Sequence, residues 1–309
     1  SRGLGDVYKR QFIRNVVIKT AVLFVAANAI FALLDPLPTL GKLTGYNWLF
    51  PGRERLPYGE NSAAAYNLSL YQIDAMFASH EINAAQDDEF HVVLIGDSAT
   101  WGILLTPEET LAGQLNAENP VTDDGTPIRV YNLGYPTMSL AKDLMLLDYA
   151  MQYDPDLVVW LFTMESFDRE GQLDSPIVHN NPDRMQPLIN AYNLDQDSTQ
   201  LVQLSYWDKT IIKRRRALAD LLRLQYYGVA WSVTSIDQEY RDDYTPRAVD
   251  LEPDETWRGF NSGALSESDL VFDVLAAGQQ MVDDTPILFI NEPMMISDGE
   301  NSDLRYNAF

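Results

Sequence analysis

Ser98 stands three residues beyond the apolar run Val92-Val93-Leu94-Ile95, at the end of the tripeptide Gly96-Asp97-Ser98. A short continuous apolar run closed by a turn residue reads as a buried strand. In an open α/β sheet, ligands bind just beyond the carboxyl ends of the strands. The Ser98 hydroxyl is therefore placed where a nucleophile meets a substrate. A serine hydroxyl attacks poorly until a base takes its proton. Of the chain's three histidines, His80 and His91 precede the strand before Ser98 and His179 lies far downstream, so none is placed as an evident base. The competing reading of Ser98 is a cap or turn serine, and residue type alone does not choose between them.

The surrounding pattern supplies the frame. Val130–Leu133, ending at Gly134, reads as a second strand, Leu157–Phe162 as a third and Pro286–Ile290 as a fourth. Helical periodicity is expected over Leu68–Ser79, Leu140–Tyr153, Trp207–Tyr227 and Ser266–Asp283. Thr106-Pro107-Glu108-Glu109 has the form of a capping box that starts a helix running to about Asn116. Strands alternating with helices predict an α/β fold on a parallel sheet, with residues 164–265 inserted between the third and fourth strands. Arg214-Arg215-Arg216 reads as a solvated face, with an anion site as the alternative.

Composition narrows the classes. The 309 residues are 46% hydrophobic, enough for one large domain or two small ones. A net charge of −23 repels polyanions, so nucleic acid is not an expected partner. With no cysteine, disulfides, thiolate metal sites and cysteine nucleophiles are excluded. Three scattered histidines make no ligand cluster, and no glycine-rich phosphate loop follows a strand, so neither metal nor cofactor is expected.

Residues 6–11 resemble the translated end of a transposon used in sequencing libraries, so residues 1–11 are expected to be an adapter artefact, with a genuine polar N-terminus as the alternative. Val16–Leu34 holds one charge, Lys19, and as a helix spans roughly 28 Å, close to a bilayer core of about 30 Å. Residues 12–35 are expected to be a single transmembrane anchor. Arg14 and Lys19 put its N-terminus in the cytoplasm and the acidic bulk outside. A cleaved signal peptide and a buried helix are the competing readings. Residues 36–62 read as a stiff Pro/Gly-rich linker. Its Tyr46, Trp48 and Phe50 are suited either to the membrane interface or to packing on the domain that follows, residues 63–309.

Three blocks occur together: Gly96-Asp97-Ser98 with Thr100-Trp101-Gly102, then Asn132-Leu133-Gly134, then the strand Leu157–Phe162. In this order they resemble the SGNH, or GDSL-like, hydrolase superfamily over roughly residues 88–165. The resemblance extends loosely to Pro286–Ile290 and the following Asn291-Glu292-Pro293. It implies a flavodoxin-like three-layer sandwich and acyl transfer with no cofactor. Ser98 would attack an ester carbonyl, and the backbone N–H groups of Ser98 and Gly134 would face the oxyanion.

Two departures qualify it. Glu165 falls about where the family has an oxyanion-binding asparagine, and an ionised carboxylate cannot donate a hydrogen bond. Either Thr163 or Ser166 donates instead, or the oxyanion hole is built differently, and a structural role for Glu165 is the competing reading. The family's Asp-x-x-His block, expected after the last strand, does not occur before Phe309, and a fragment lacking its C-terminal end is the expectation. The resemblance thus implies a membrane-anchored, extracytoplasmic serine esterase or O-acyltransferase acting on acyl esters, such as those of cell-surface glycans or lipids. The alternative is a non-catalytic surface module that binds carbohydrate through Trp231, Trp257 and neighbouring tyrosines.

Overall fold

Branched and aromatic residues dominate the predicted strands, and they pair as a parallel sheet. The computed structural model describes residues 2–49, 52–58, 72–201, 203–234 and 256–292. Its strands are β1 (Phe90–Ile95), β2 (Ile128–Asn132), β3 (Leu157–Phe162), the short antiparallel hairpin β4 (Thr256–Trp257) and β5 (Phe260–Asn261), and β6 (Ile287–Asn291). Four of them form one parallel sheet in the order β2-β1-β3-β6. Val92 pairs with both Val130 and Leu157, and Trp160 pairs with Phe289. The protein is a mixed α/β fold, as its alternating pattern predicts.

Period-two alternation divides the strands between two apolar clusters. Val93, Ile95, Val158, Trp160 and Phe162 belong to the larger one. It is completed by α4 (Ile73–Ser79), α7 (Leu140–Ala150), α9 (Pro182–Tyr192) and α11 (Phe272–Met281). Val92, Leu94, Val130, Val159 and Leu161 form the smaller one with Ala112 of α6 (Leu111–Ala117). Strand order reverses at β1: the chain leaves it outward to β2, then crosses to β3 on its other side. At such a reversal, open α/β sheets carry their ligand crevice, beyond the carboxyl ends here of β1 and β3.

The helices depart from expectation at their ends. The Thr106–Glu109 capping box closes only a 3-10 turn, and α6 starts afresh at a second N-cap, Thr110, whose hydroxyl accepts from the Gly113 N–H at 3.1 Å. Ser266 and Asp269 likewise cap a 3-10 turn, because Leu270 is extended and bridges to Asp168, so α11 begins at Phe272. The helix expected from Leu68 is seen from Ile73, and residues 68–71 lie outside the described set. Between β3 and β6 the chain forms α8 (Pro176–Asn180), α9 and the long α10 (Ile211–Thr234), the β4-β5 hairpin and α11.

Helix α1 (Arg2–Leu34) includes a 28-residue stretch, Val7–Leu34, long and apolar enough to cross a membrane. The segment expected as a linker carries α2 (Leu37–Lys42) and α3 (Gly45–Leu49), which pack on α4 and α10. Trp48 is exposed, while Phe50 and the Tyr46 side chain lie outside the described set.

One glycine joins the layers. A Cβ on Gly278 of α11 would run into the Trp160 ring, with Cε3 only 3.2 Å away and Cζ3 closer still. Gly278→Ala is expected to lower stability by about 1–3 kcal/mol through overpacking, despite alanine's better helix propensity. Gly263→Ala, which meets open space, should change it by less than about 0.5 kcal/mol. Urea denaturation of the two variants checks this.

Candidate active site

Ser98 is the first residue of a single helical turn, α5 (Ser98–Trp101), at the mouth of the crevice. Asp97 caps that turn by accepting from the Ala99 N–H at 2.9 Å. Gly102 closes it in the left-handed region, at φ +85°, which suits glycine. Gly96 must lack a side chain, because a Cβ there would stand 2.9 Å from the Leu161 carbonyl and closer still to the Thr100 hydroxyl. Ser98 is half-buried, and its Oγ makes no hydrogen bond among the described residues.

Three side chains clamp the turn from beneath. The buried Arg55 donates to the carbonyls of Gly102 (3.0 Å) and Leu105 (2.9 Å), with its guanidinium 4.1 Å above the Trp101 ring. Asn132, at the end of β2, donates from Nδ2 to the Thr100 carbonyl at 2.8 Å. The fully buried Lys142, in the first turn of α7, donates to the carbonyls of Gly96 (2.8 Å) and Tyr135 (2.9 Å) and pairs with Asp143. Asp143 also accepts from the Trp160 indole N–H at 3.3 Å. Burial lifts the Asp143 carboxyl to about 6, against the pull of the neighbouring ammonium.

Gly134 is buried against this turn. A Cβ there would meet the Trp101 nitrogen at 2.5 Å and the Thr100 carbonyl carbon at 2.9 Å. Its N–H donates to Asn132 Oδ1 at 3.1 Å. The Asn-Leu-Gly spacing thus lets one asparagine hold the Gly134 loop with one end of its amide and α5 with the other. In this arrangement the Gly134 N–H is engaged within the chain.

None of the three histidines bonds to Ser98 Oγ. His80 is fully buried. The Ile82 N–H donates to its Nδ1 at 3.1 Å, so Nε2 carries the proton and donates to the Asn132 carbonyl at 3.0 Å. Burial pushes its pKa down to about 4, with hydrogen bonds to backbone opposing. His91 lies at the amino end of β1, away from the crevice, with Nε2 on the Gln86 carbonyl at 2.8 Å. His179 is exposed on α8.

The crevice holds other polar groups. Asp97 Oδ2, Thr163 Oγ1, Ser166 Oγ and Glu292 Oε2 are buried and find no hydrogen-bond partner among the described residues. They come from the carboxyl ends of β1, β3 and β6, and the Glu292 N–H is tied to the Phe162 carbonyl at 2.7 Å. Burial and the nearby Asp97 charge raise the Glu292 carboxyl to about 7. Glu165 instead pairs with Arg258 of the β4-β5 turn at 3.2 Å, and the same Arg258 reaches Asp168 at 3.1 Å. Lys142, Asp143 and Glu292 went unrecognised as site residues in the sequence. The signal for the first two was a Lys-Asp pair on the inward side of an apolar helix. No group of acidic residues or histidines suited to a metal ion occurs among the described residues.

Removing the Lys142 charge leaves Asp143 buried beside the Gly96 and Tyr135 carbonyls without its counter-charge. Lys142→Met should cost about 3–5 kcal/mol, and adding Asp143→Leu should recover part of that loss, read by urea denaturation. His80 gives a pH test. The unfolded imidazole takes up a proton below about 6.5, while the folded one resists until about 4. Its stabilisation is therefore complete above 6.5 and is lost as the pH falls toward 4. The stability difference between the wild type and His80→Gln should shrink over that window. In comparison with known proteins, no family model and no curated sequence matches the chain.

Proposed function

We propose that the chain is a membrane-anchored, extracytoplasmic serine esterase or O-acyltransferase of the SGNH type, acting on acyl esters of the kind carried by surface glycans or lipids. The observation that carries this reading is Ser98. Its unbonded hydroxyl opens a rigid helical turn at the reversal of strand order, beside a group of buried, unpartnered polar atoms. Buried polar groups are nearly always paired, so a cluster of exceptions at a strand-end crevice suits a site that binds something polar. The strand order β2-β1-β3-β6 agrees with the start of a flavodoxin-like sheet.

In this reading Ser98 Oγ attacks the ester carbonyl, and the alcohol leaves with a proton. Thr163 and Ser166 supply hydroxyl donors near the developing oxyanion, in place of the asparagine that Glu165 replaces. Water or a sugar hydroxyl then takes the acyl group. Helix α1 would hold the domain at the membrane.

Two observations favour a second reading, a non-catalytic surface module. No histidine bonds to Ser98 among the described residues, and the Gly134 N–H is already engaged. That reading cannot use Trp257 to stack on a sugar, contrary to expectation. Trp257 is 1% exposed and belongs to the main core, because the β4-β5 hairpin folds it inward. The Trp231 side chain lies outside the described set.

A fluorophosphonate reagent distinguishes the two. Covalent labelling that maps to Ser98 and disappears in Ser98→Ala supports the enzyme. Labelling equal in both proteins, together with saturable binding of an acetylated glycan, supports the module. Because no histidine base is seated on Ser98, turnover of p-nitrophenyl acetate by this chain should be slow.

A further inference from the structure

Helix α10 has two faces, and only one is accounted for by the fold. Leu221, Leu224 and Gly228 are buried. Beside them the Gln225 side chain accepts from the Gly45 N–H at 2.9 Å, and Val229 touches Gly45. These contacts fix the helix's rotation. The opposite face carries Ile212, Ala219, Leu222, Tyr226 and Val233, spaced by seven, three, four and seven residues. They form one stripe on a 3.6-residue helix, and all five are exposed, Tyr226 at 80% and Val233 at 65%. Arg216 and Arg223 border the stripe, Arg215 lies on it seven residues before Leu222, and all three are exposed. No carboxylate interrupts it, since Asp220 points to the side and pairs with Arg223.

The charge of this helix runs against that of the chain. Its five cations, Lys213, Arg214, Arg215, Arg216 and Arg223, face one carboxylate, in a protein of net charge −23. Basic residues bordering an apolar, aromatic stripe are the mark of a helix that lies in a membrane interface.

Position supplies the third argument. The start of α10 is attached to the last turns of α1. The Ile212 N–H donates to Asn28 Oδ1 at 3.3 Å, the Tyr206 hydroxyl donates to the Ala29 carbonyl at 2.9 Å, and Lys209 pairs with Asp35 at 2.8 Å. Asn28 lies six residues before the end of the apolar stretch, about 9 Å along the helix axis. Interfacial helices bury their apolar faces about 5–10 Å into the boundary between headgroups and acyl chains. If α1 spans the bilayer, α10 therefore begins at that depth. Trp207, 73% exposed at the same junction, suits the same zone. Lys213, Arg214 and Arg216 also line a cleft of about 330 Å³ against Leu37 and Gly41 of α2, just past the end of α1.

We infer that α10 is a second membrane contact, which lays its Ile212–Val233 stripe into the leaflet around α1 and binds anionic lipid headgroups through its arginines. The inference rests on reading α1 as a membrane span. Its consequence is orientation: one spanning helix leaves a domain free to tumble about its tether, whereas a span joined to an interfacial helix holds the domain at a fixed attitude.

Spin labelling tests it in the full chain, which has no cysteine of its own. Single labels go on Leu222→Cys and Tyr226→Cys in the stripe, on Leu23→Cys in α1, and on Glu118→Cys, an exposed residue after α6. Each protein is placed at one copy per nanodisc, in phosphatidylcholine with or without phosphatidylglycerol. Labels at 222 and 226 should be at least about threefold less accessible to a water-soluble nickel relaxant than the label at 118. That protection should deepen with phosphatidylglycerol, and the triple change Arg215→Ser, Arg216→Ser, Arg223→Ser should abolish the lipid dependence. The inference is overturned if 222 and 226 are as accessible as 118 while 23 stays protected. If 23 is also accessible, the membrane span fails and takes the inference with it. Protection that appears only with two copies per disc identifies a contact between chains and overturns the lipid assignment.

Discussion

A single buried ammonium organises the carboxyl end of the sheet. Lys142 sits in the first turn of α7 with none of its surface exposed, and it is satisfied by the Gly96 carbonyl before Ser98, the Tyr135 carbonyl after Gly134, and the Asp143 carboxylate beside it. A charge taken out of water must be surrounded by fixed partners, or the fold does not tolerate it. Those partners here are the loops after β1 and β2, so the cost of burying Lys142 is offset only when both loops adopt one geometry. The Trp160 indole extends this arrangement to β3 through Asp143. The Ser98 turn therefore inherits its position from a network that includes no atom of Ser98.

The same economy applies to the glycines. Gly96, Gly134 and Gly278 each stand where a Cβ would collide with backbone or with an aromatic ring, and each marks an approach of two layers that a larger residue would push apart. Asn132 shows the polar counterpart. One amide holds α5 and the Gly134 loop together, and its backbone carbonyl fixes the tautomer of His80. Hydrogen bonds and close glycine approaches hold the β1–β2 side of the crevice. On the β3–β6 side the Thr163 and Ser166 hydroxyls and one oxygen of the Glu292 carboxyl find no partner among the described residues.

The N-terminal helices connect to the domain by separate contacts. α1 reaches the body through Asn28, Ala29 and Asp35, and α2 and α3 fill the space between α10 and α4. A long apolar helix attached by hydrogen bonds and packing, instead of by a loose tether, passes its orientation to the folded domain.

The sequence by itself determined the strands, the order of the three blocks and the apolar span. Continuous β-branched runs and a long uncharged stretch admit few alternatives, because their burial preference is local and strong. It also located Ser98 at a strand end. Helix starts were less legible. The patterns at Thr106 and Ser266 cap real turns, yet whether a capped turn continues as an α-helix depended on Thr110 offering a second cap and on Leu270 bridging to Asp168. Only the tertiary structure decided which polar residues meet in the crevice and which are buried to hold the fold. His80, His91 and Trp257 look chemically available in a sequence, but packing seals His80 and Trp257 and sends His91 to the other end of β1. Lys142 looks like a surface charge until α7 turns it inward. A side chain's role follows from its partners, and partners distant in the chain are chosen by the fold.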